Sequence, residues 1–198
     1  MKFRASQIGK LMIEPRSKSE ALSQTTKTFL EELAIENRFG VKKEFSSKYT
    51  EKGIICEAEA IALIDPFFDK NEITFENDWI TGTPDVIDEN SIIDVKCSWN
   101  IWTFPHFEAE IPTKDYFYQL QAYMWLTGKS HAKLTYCLID TPDQLIYNEP
   151  LNWHRFGHLA RCERIKTYSF DFDAELIEKV KLRCEIASEY YENLIKEL

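Results

Sequence analysis

The stretch Thr81-Gly82-Thr83-Pro84-Asp85-Val86-Ile87-Asp88-Glu89-Asn90-Ser91-Ile92-Ile93-Asp94-Val95-Lys96 constrains this chain more than any other. It predicts two short strands joined by a turn, the first ending near residues 79–81. Asp88-Glu89-Asn90-Ser91 is turn chemistry, and Ile92 to Lys96 is β-branched and apolar enough for a strand. Side chains alternate along a strand, so Asp94 and Lys96 share one face while Ile93 and Val95 share the other. Asp85, delivered by the preceding turn, adds a second acid. Two carboxylates can hold a hard divalent cation, and a lysine beside them can orient or deprotonate a water. An isolated aspartate and lysine two residues apart form an ordinary exposed pair. The spacing from Pro84-Asp85 and the neighbours described below set this pair apart.

A chain of 198 residues suits one domain with a substantial core, and 44% hydrophobic with 14% aromatic residues is a folded composition. No apolar run approaches the ~18 residues needed to span a bilayer. The N-terminus also lacks a signal-peptide apolar region. A soluble, cytoplasmic protein is expected. Cys56, Cys97, Cys137, Cys162 and Cys184 are scattered and form no C-x-x-C pair. That argues against a zinc ribbon, an iron–sulfur cluster or a disulfide framework, and for reduced, mostly buried thiols. His106, His131, His154 and His158 show no metal-ligand spacing, so zinc is not expected. The net charge of −9 by itself disfavours a nucleic-acid partner, but it is uneven: residues 1–52 carry +4 and residues 53–198 carry −13.

Taken in order, Ser6 reads as the N-cap of a short helix with Ile8, Leu11 and Met12 on its apolar face. Such a helix start beside Arg4 suits a phosphate, though a plain capped helix looks the same. Residues 25–37 read as a helix with Phe29, Leu30 and Leu33 inward. Residues 38–50 are polar and basic, and Lys42, Lys43 and Lys48 suit either solvent or a nucleic-acid backbone. Residues 51–64 read as a helix stopped by Asp65-Pro66, with Ile54, Glu57, Ile61 and Ile64 on one stripe. A carboxylate on such a stripe needs a partner, either a buried salt bridge or a metal.

Residues 72–75 and 78–81 look like strand pieces. Trp99, Trp102, Phe104 and Phe107 can stack on bases, cover a site or fill core. A helix from residue 113 or 114 to 127, closed by Gly128, carries Tyr116, Gln119, Tyr123 and Leu126 near one stripe. Gln119 offers an amide beside the acids. Residues 132–139 and 165–172 read as strands, 144–147 as a possible short strand, and 153–164 as mixed and partly helical. A long amphipathic helix follows from residue 173 or 174 to 198.

Glu57, Pro84-Asp85, Asp94-Val95-Lys96 and Gln119-x-x-x-Tyr123 occur in that order. Together they resemble the RecB-type PD-(D/E)-x-K nucleases. Ala5-Ser6, Gly53…Glu57 and the Gln119-Leu120-Gln121…Met124-Trp125-Leu126-Thr127 helix further resemble the lambda-type phage exonucleases, or YqaJ-like viral recombinases. The resemblance spans roughly residues 3–140. It implies an α/β (α+β) fold with a restriction-endonuclease-like core: a central mixed β-sheet flanked by helices, in a single domain. A helical, DNA-facing part would occupy about 1–52, the nuclease core about 53–172 and a C-terminal helix about 173–198.

The resemblance also implies a Mg²⁺-dependent exonuclease, with Mn²⁺ as a substitute, that degrades one strand of linear duplex DNA from the 5′ end. One or two ions would be bound by Glu57, Asp85, Asp94 and the Val95 carbonyl. Lys96 would activate water and Gln119 would support the site. Ser6, Arg4, Lys10 and Tyr123 would face the DNA. Family members often form a ring-shaped trimer and work with a single-strand annealing protein. Asp94 stands where close relatives usually carry glutamate. The competing readings are another RecB-like nuclease, such as a Cas4-type enzyme whose cluster cysteines are missing here, and a non-catalytic DNA-binding module.

Overall fold

The N-terminal helices precede a run of short strands in the computed structural model, which describes residues 1–43 and 47–198. In order they are β1 (Phe3–Arg4), α1 (Ile8–Leu11), α2 (Gln24–Phe39), α3 (Lys48–Ile64), β2 (Phe75–Glu76), β3 (Ile80–Gly82), β4 (Val86–Ile87), β5 (Ser91–Cys97), α4 (Lys114–Thr127), β6 (His131–Cys137), β7 (Ile165–Asp171) and α5 (Ala174–Glu197). The starts of α2 to α5 are capped by side chains: Ser23 accepts from the Thr26 N–H, Ser47 from Thr50, Thr113 from Asp115 and Asp173 from Leu176. Gly40 and Gly128 close α2 and α4 at φ 66° and 70°, a region that favours glycine. The basic 38–50 segment is described only in part, because residues 44–46 lie outside the described residues.

β4, β5, β6 and β7 form a mixed four-stranded sheet in that order, with β5 and β6 parallel and both outer pairs antiparallel. A small second sheet has the order β1-β3-β2. The period-two alternation of β5 sorts the helices. Ile92 belongs to the larger core, with Leu120, Met124, Leu134, Val180 and Cys184, on the side covered by α4 and α5. Ile93 and Val95 face Cys56, Ala60 and Ile61 of α3. β5 is thus covered on both faces, and Ser91 to Val95 are all buried. All five cysteines are free thiols, three of them buried. No helix among the described residues is long and apolar enough to cross a membrane.

Several expectations change. The strand at residues 80–82 does not form a hairpin with the D-x-K strand; it belongs to the small sheet. The hairpin partner is the two-residue β4, and Thr83-Pro84-Asp85 is the crossing between sheets. Ser6 does not cap a helix. It lies within a 3-10 turn, Ala5–Gln7, where Gln7 Oε1 accepts the Arg4 N–H at 2.9 Å. Ile54 is not in the core. It is 72% exposed, and α3 buries Lys52, Cys56, Ala60 and Ile61 instead. Residues 144–147 make no strand: Asp143–Leu145 is a 3-10 turn, and residues 153–164 are loop apart from the end of one such turn at Leu151–Trp153 and another at Arg161–Glu163. The aromatic segment divides. Trp99 and Phe104 are buried, whereas Trp102 and Phe107 are exposed.

Candidate active site

Asp94 and Lys96 lie on the α4 side of β5 and form an ion pair, Lys96 Nζ to Asp94 Oδ2, at 2.5 Å. Asp94 is 1% exposed. Gln119 Nε2 donates to Asp94 Oδ1 at 3.1 Å and to the Tyr123 hydroxyl at 3.0 Å, so its two amide protons join the acid to the phenol. Asp85 reaches the same place from the crossing between sheets, where its Oδ2 accepts the Val95 N–H at 2.7 Å. That crossing is braced from behind. The Asn71 N–H donates to Asp85 O at 2.7 Å, and Asn71 Nδ2 donates to Pro84 O at 2.9 Å.

The electrostatics follow from this packing. Burial and the Asp94 carboxylate push Asp85 up to about 7, against the opposing pull of Lys96 and the Val95 N–H. Burial works against the charge on Lys96, but Asp94 and Asp85 outweigh it and hold its pKa above the ordinary lysine value. Lys96 is therefore an ammonium, which orients a water but has no lone pair with which to take its proton. Its Nζ lies 4.9 Å from the centre of the Tyr116 ring. Burial, with Asp94 nearby, pushes Tyr123 up to about 12, so the phenol stays neutral.

Glu57, Asp85, Val95 and Lys96 line one cavity of about 570 Å³ together with Tyr49, Gly53, Ile54, Trp99 and Tyr116. Glu57 is paired with Lys70. Two carboxylates, Glu57 and Asp85, line that cavity, oxygen donors of the kind a hard cation takes. Asp94 Oδ2 is buried and makes no hydrogen bond, only the ion pair with Lys96. Among the described residues no three acidic, histidine or cysteine side chains stand close enough to hold a metal as placed.

The residues expected to face DNA form an adjoining wall. Arg4, Ser6 and Lys10 line a cavity of about 430 Å³ with Gln7 and Lys43. Arg4, Ser6, Gly82, Thr83 and Tyr123 line a smaller one of about 300 Å³. Tyr123 is 6% exposed and so links this wall to Gln119. Lys43 and Lys48 are engaged by Glu32 and Glu149.

Sequence reasoning missed Lys70, Asn71 and the support behind the cavity. Lys52 is fully buried, donating to the carbonyls of Ser98 at 2.6 Å and Trp99 at 3.0 Å, and burial lowers its pKa to about 8. Glu149 accepts from Lys48, Trp99 and Asn100, fastening the start of α3 to the segment after β5. The one sequence signal for Lys52 is its i, i+4, i+8 spacing with Cys56 and Ala60.

No protein-family model matches the chain, and no curated protein does. Among solved structures it is similar to a phage-related exonuclease from Haemophilus somnus 129PT. That match has 33% identity and a TM-score of 0.91, covering 100% of this chain and 96% of that one. It is also similar to LHK-Exo, an alkaline exonuclease from Laribacter hongkongensis, at 18% identity and a TM-score of 0.70 over 99% of this chain and 90% of that one. At that identity the second likeness speaks to fold alone. With the fold, the ordered motif residues and the first relative in agreement, the chain belongs to the phage-related exonucleases of the PD-(D/E)-x-K superfamily.

Proposed function

We propose that the protein is a divalent-cation-dependent deoxyribonuclease that removes nucleotides from the 5′ ends of linear duplex DNA. The observation that carries this reading is the placement of Lys96 on Asp94, beside Asp85 and under Gln119, at a cavity shared with Glu57. The relative from Haemophilus somnus supports exonuclease activity as the reaction class. A ring-shaped trimer and a single-strand annealing partner belong to the same reading.

In this reading Glu57, Asp85, Asp94 and the Val95 carbonyl hold Mg²⁺ or Mn²⁺. When bound, the cation would offset charge on the attacking and leaving oxygens of an in-line hydrolysis. The chain's own residues do the rest. Burial and Asp94 oppose the ionisation of Asp85, and a bound cation would offset both. Glu57, ion-paired with Lys70 in the structure, would be the ligand supplied by α3. The Lys96 ammonium orients the water and faces charge developing on the phosphate. Gln119 fixes the Asp94 carboxylate, and Tyr123 fixes Gln119. Arg4, Ser6 and Lys10 hold phosphate on the adjoining wall.

Incubation of the protein with 5′-phosphorylated linear duplex and with covalently closed circular duplex, each in Mg²⁺ or EDTA, tests this. Mononucleotide release from the linear form alone, in Mg²⁺ alone, is expected. Cleavage of the closed circle would replace the exonuclease reading with an endonuclease one. No cleavage of either by folded protein would leave a binding module.

A further inference from the structure

Helix α3 presents Tyr49, Gly53 and Glu57, four residues apart, to the catalytic cavity, with Thr50 and Ile54 alongside. Two features of this stripe have no explanation within the protein. Gly53 lies inside a 17-residue helix, where glycine is the least favourable residue after proline. Glycine is usually kept in such a place by a positive φ or by a neighbour too close for a Cβ. Gly53 has neither: it is absent from the positive-φ glycines, and a Cβ on it would meet no protein atom within 4 Å. At Gly9 and Gly82, by contrast, a Cβ would collide with Asp115 and Tyr123. The second feature is apolar exposure. Ile54 and Tyr49 flank Gly53 at 72% and 56% exposed, and the Tyr49 ring is set edge-on to Trp99 at 5.2 Å.

We infer that the DNA strand being cut runs over α3 at Gly53. The missing side chain leaves room for the sugar–phosphate to approach the helix, and Tyr49 and Ile54 form apolar walls for the adjoining sugar and base. Gly53 lies four residues, about 6 Å along the helix axis, from Glu57. A strand with its phosphate at the carboxylates therefore carries its next nucleotide over Gly53. The inference rests on the nuclease reading and deepens it: α3 seats the substrate strand, and Gly53 is a positioning residue.

Gly53→Ala, Gly53→Leu and Tyr49→Ala, assayed for melting temperature and for steady-state cleavage of linear duplex in Mg²⁺, test it. The alanine at Gly53 is expected to raise Tm by about 2 °C, since it removes a helix glycine without a clash. The same variant is expected to raise KM for DNA. Leucine there should lower kcat/KM by about 10- to 100-fold, chiefly through KM, and Tyr49→Ala should raise KM while leaving Tm near wild type. Stabilised Gly53 variants that cleave as fast as wild type would overturn the inference and leave the nuclease reading standing. A fall in Tm for Gly53→Ala would also overturn it, because the glycine would then be structural. An inert wild type would remove both.

Discussion

Asp85 couples the folding of the site to its chemistry. The folded form keeps the Asp85 proton up to about pH 7, whereas an unfolded aspartate releases it near 3.8. Between those values the folded form binds more protons, so the metal-free protein loses stability as pH rises from about 4 to about 7. Asp85→Asn removes the charge and keeps an acceptor for the Val95 N–H. We expect it to raise the melting temperature of the metal-free protein at pH 8 by several degrees, at about 2–4 °C per kcal/mol for a chain this size. It should also flatten the pH dependence below 7. Thermal denaturation of both proteins at pH 5 and pH 8 checks this; equal Tm values at pH 8 would contradict the burial argument. At this scale the acids, the lysine and Gln119 were legible, because alternation in one strand and i, i+4 spacing in one helix fix their directions. Lys70 and Asn71 were not, because their role depends on where an irregular loop returns.

The elements were legible where their physics is local. The span 114–127 between Thr113 and Gly128 carries its own start and stop, and α4 has those bounds. Helix α3 was legible in extent but not in phase. Of the expected stripe Ile61 is buried, but Ile54 is exposed, while Lys52 lies on the buried face. The small sheet was hidden because β1 and β3 pair across more than a third of the chain, Phe3 opposite Ile80, and the sequence carries no local trace of that pairing. Contact between β3 and α4 gives an element-scale test. A Cβ at Gly82 would lie 2.7 Å from Tyr123 Cε1 and 3.0 Å from Ala5 Cβ. Gly82→Ala is therefore expected to cost about 1–3 kcal/mol by overpacking, measured by urea denaturation, and to slow cleavage by shifting Tyr123 and Gln119. Unchanged stability would show that α4 can withdraw from β3. Ser23→Ala, which removes the acceptor for the Thr26 N–H, is expected to cost about 1 kcal/mol without affecting the cavity.

Across the whole molecule the charge is uneven: residues 1–52 carry +4 and residues 53–198 carry −13. The net charge of −9 pointed away from nucleic acid because it averages two regions of opposite sign. If Mg²⁺ binds the folded form and not the unfolded one, it raises stability by mass action, about 2.7 kcal/mol at a hundred times its Kd. The rise should be larger at pH 8 than at pH 5, where Asp85 keeps its proton. A pH-independent rise in Tm would place the cation away from Asp85. The account's central claim is that the charged pair on β5 is the catalytic centre. The most direct measurement is the rate of nucleotide release from 5′-phosphorylated linear duplex in Mg²⁺ by wild type, Lys96→Ala and Asp94→Asn, with folding checked by circular dichroism. Each folded variant is expected to be slower by at least about 100-fold. Folded variants that cleave at the wild-type rate would contradict the account.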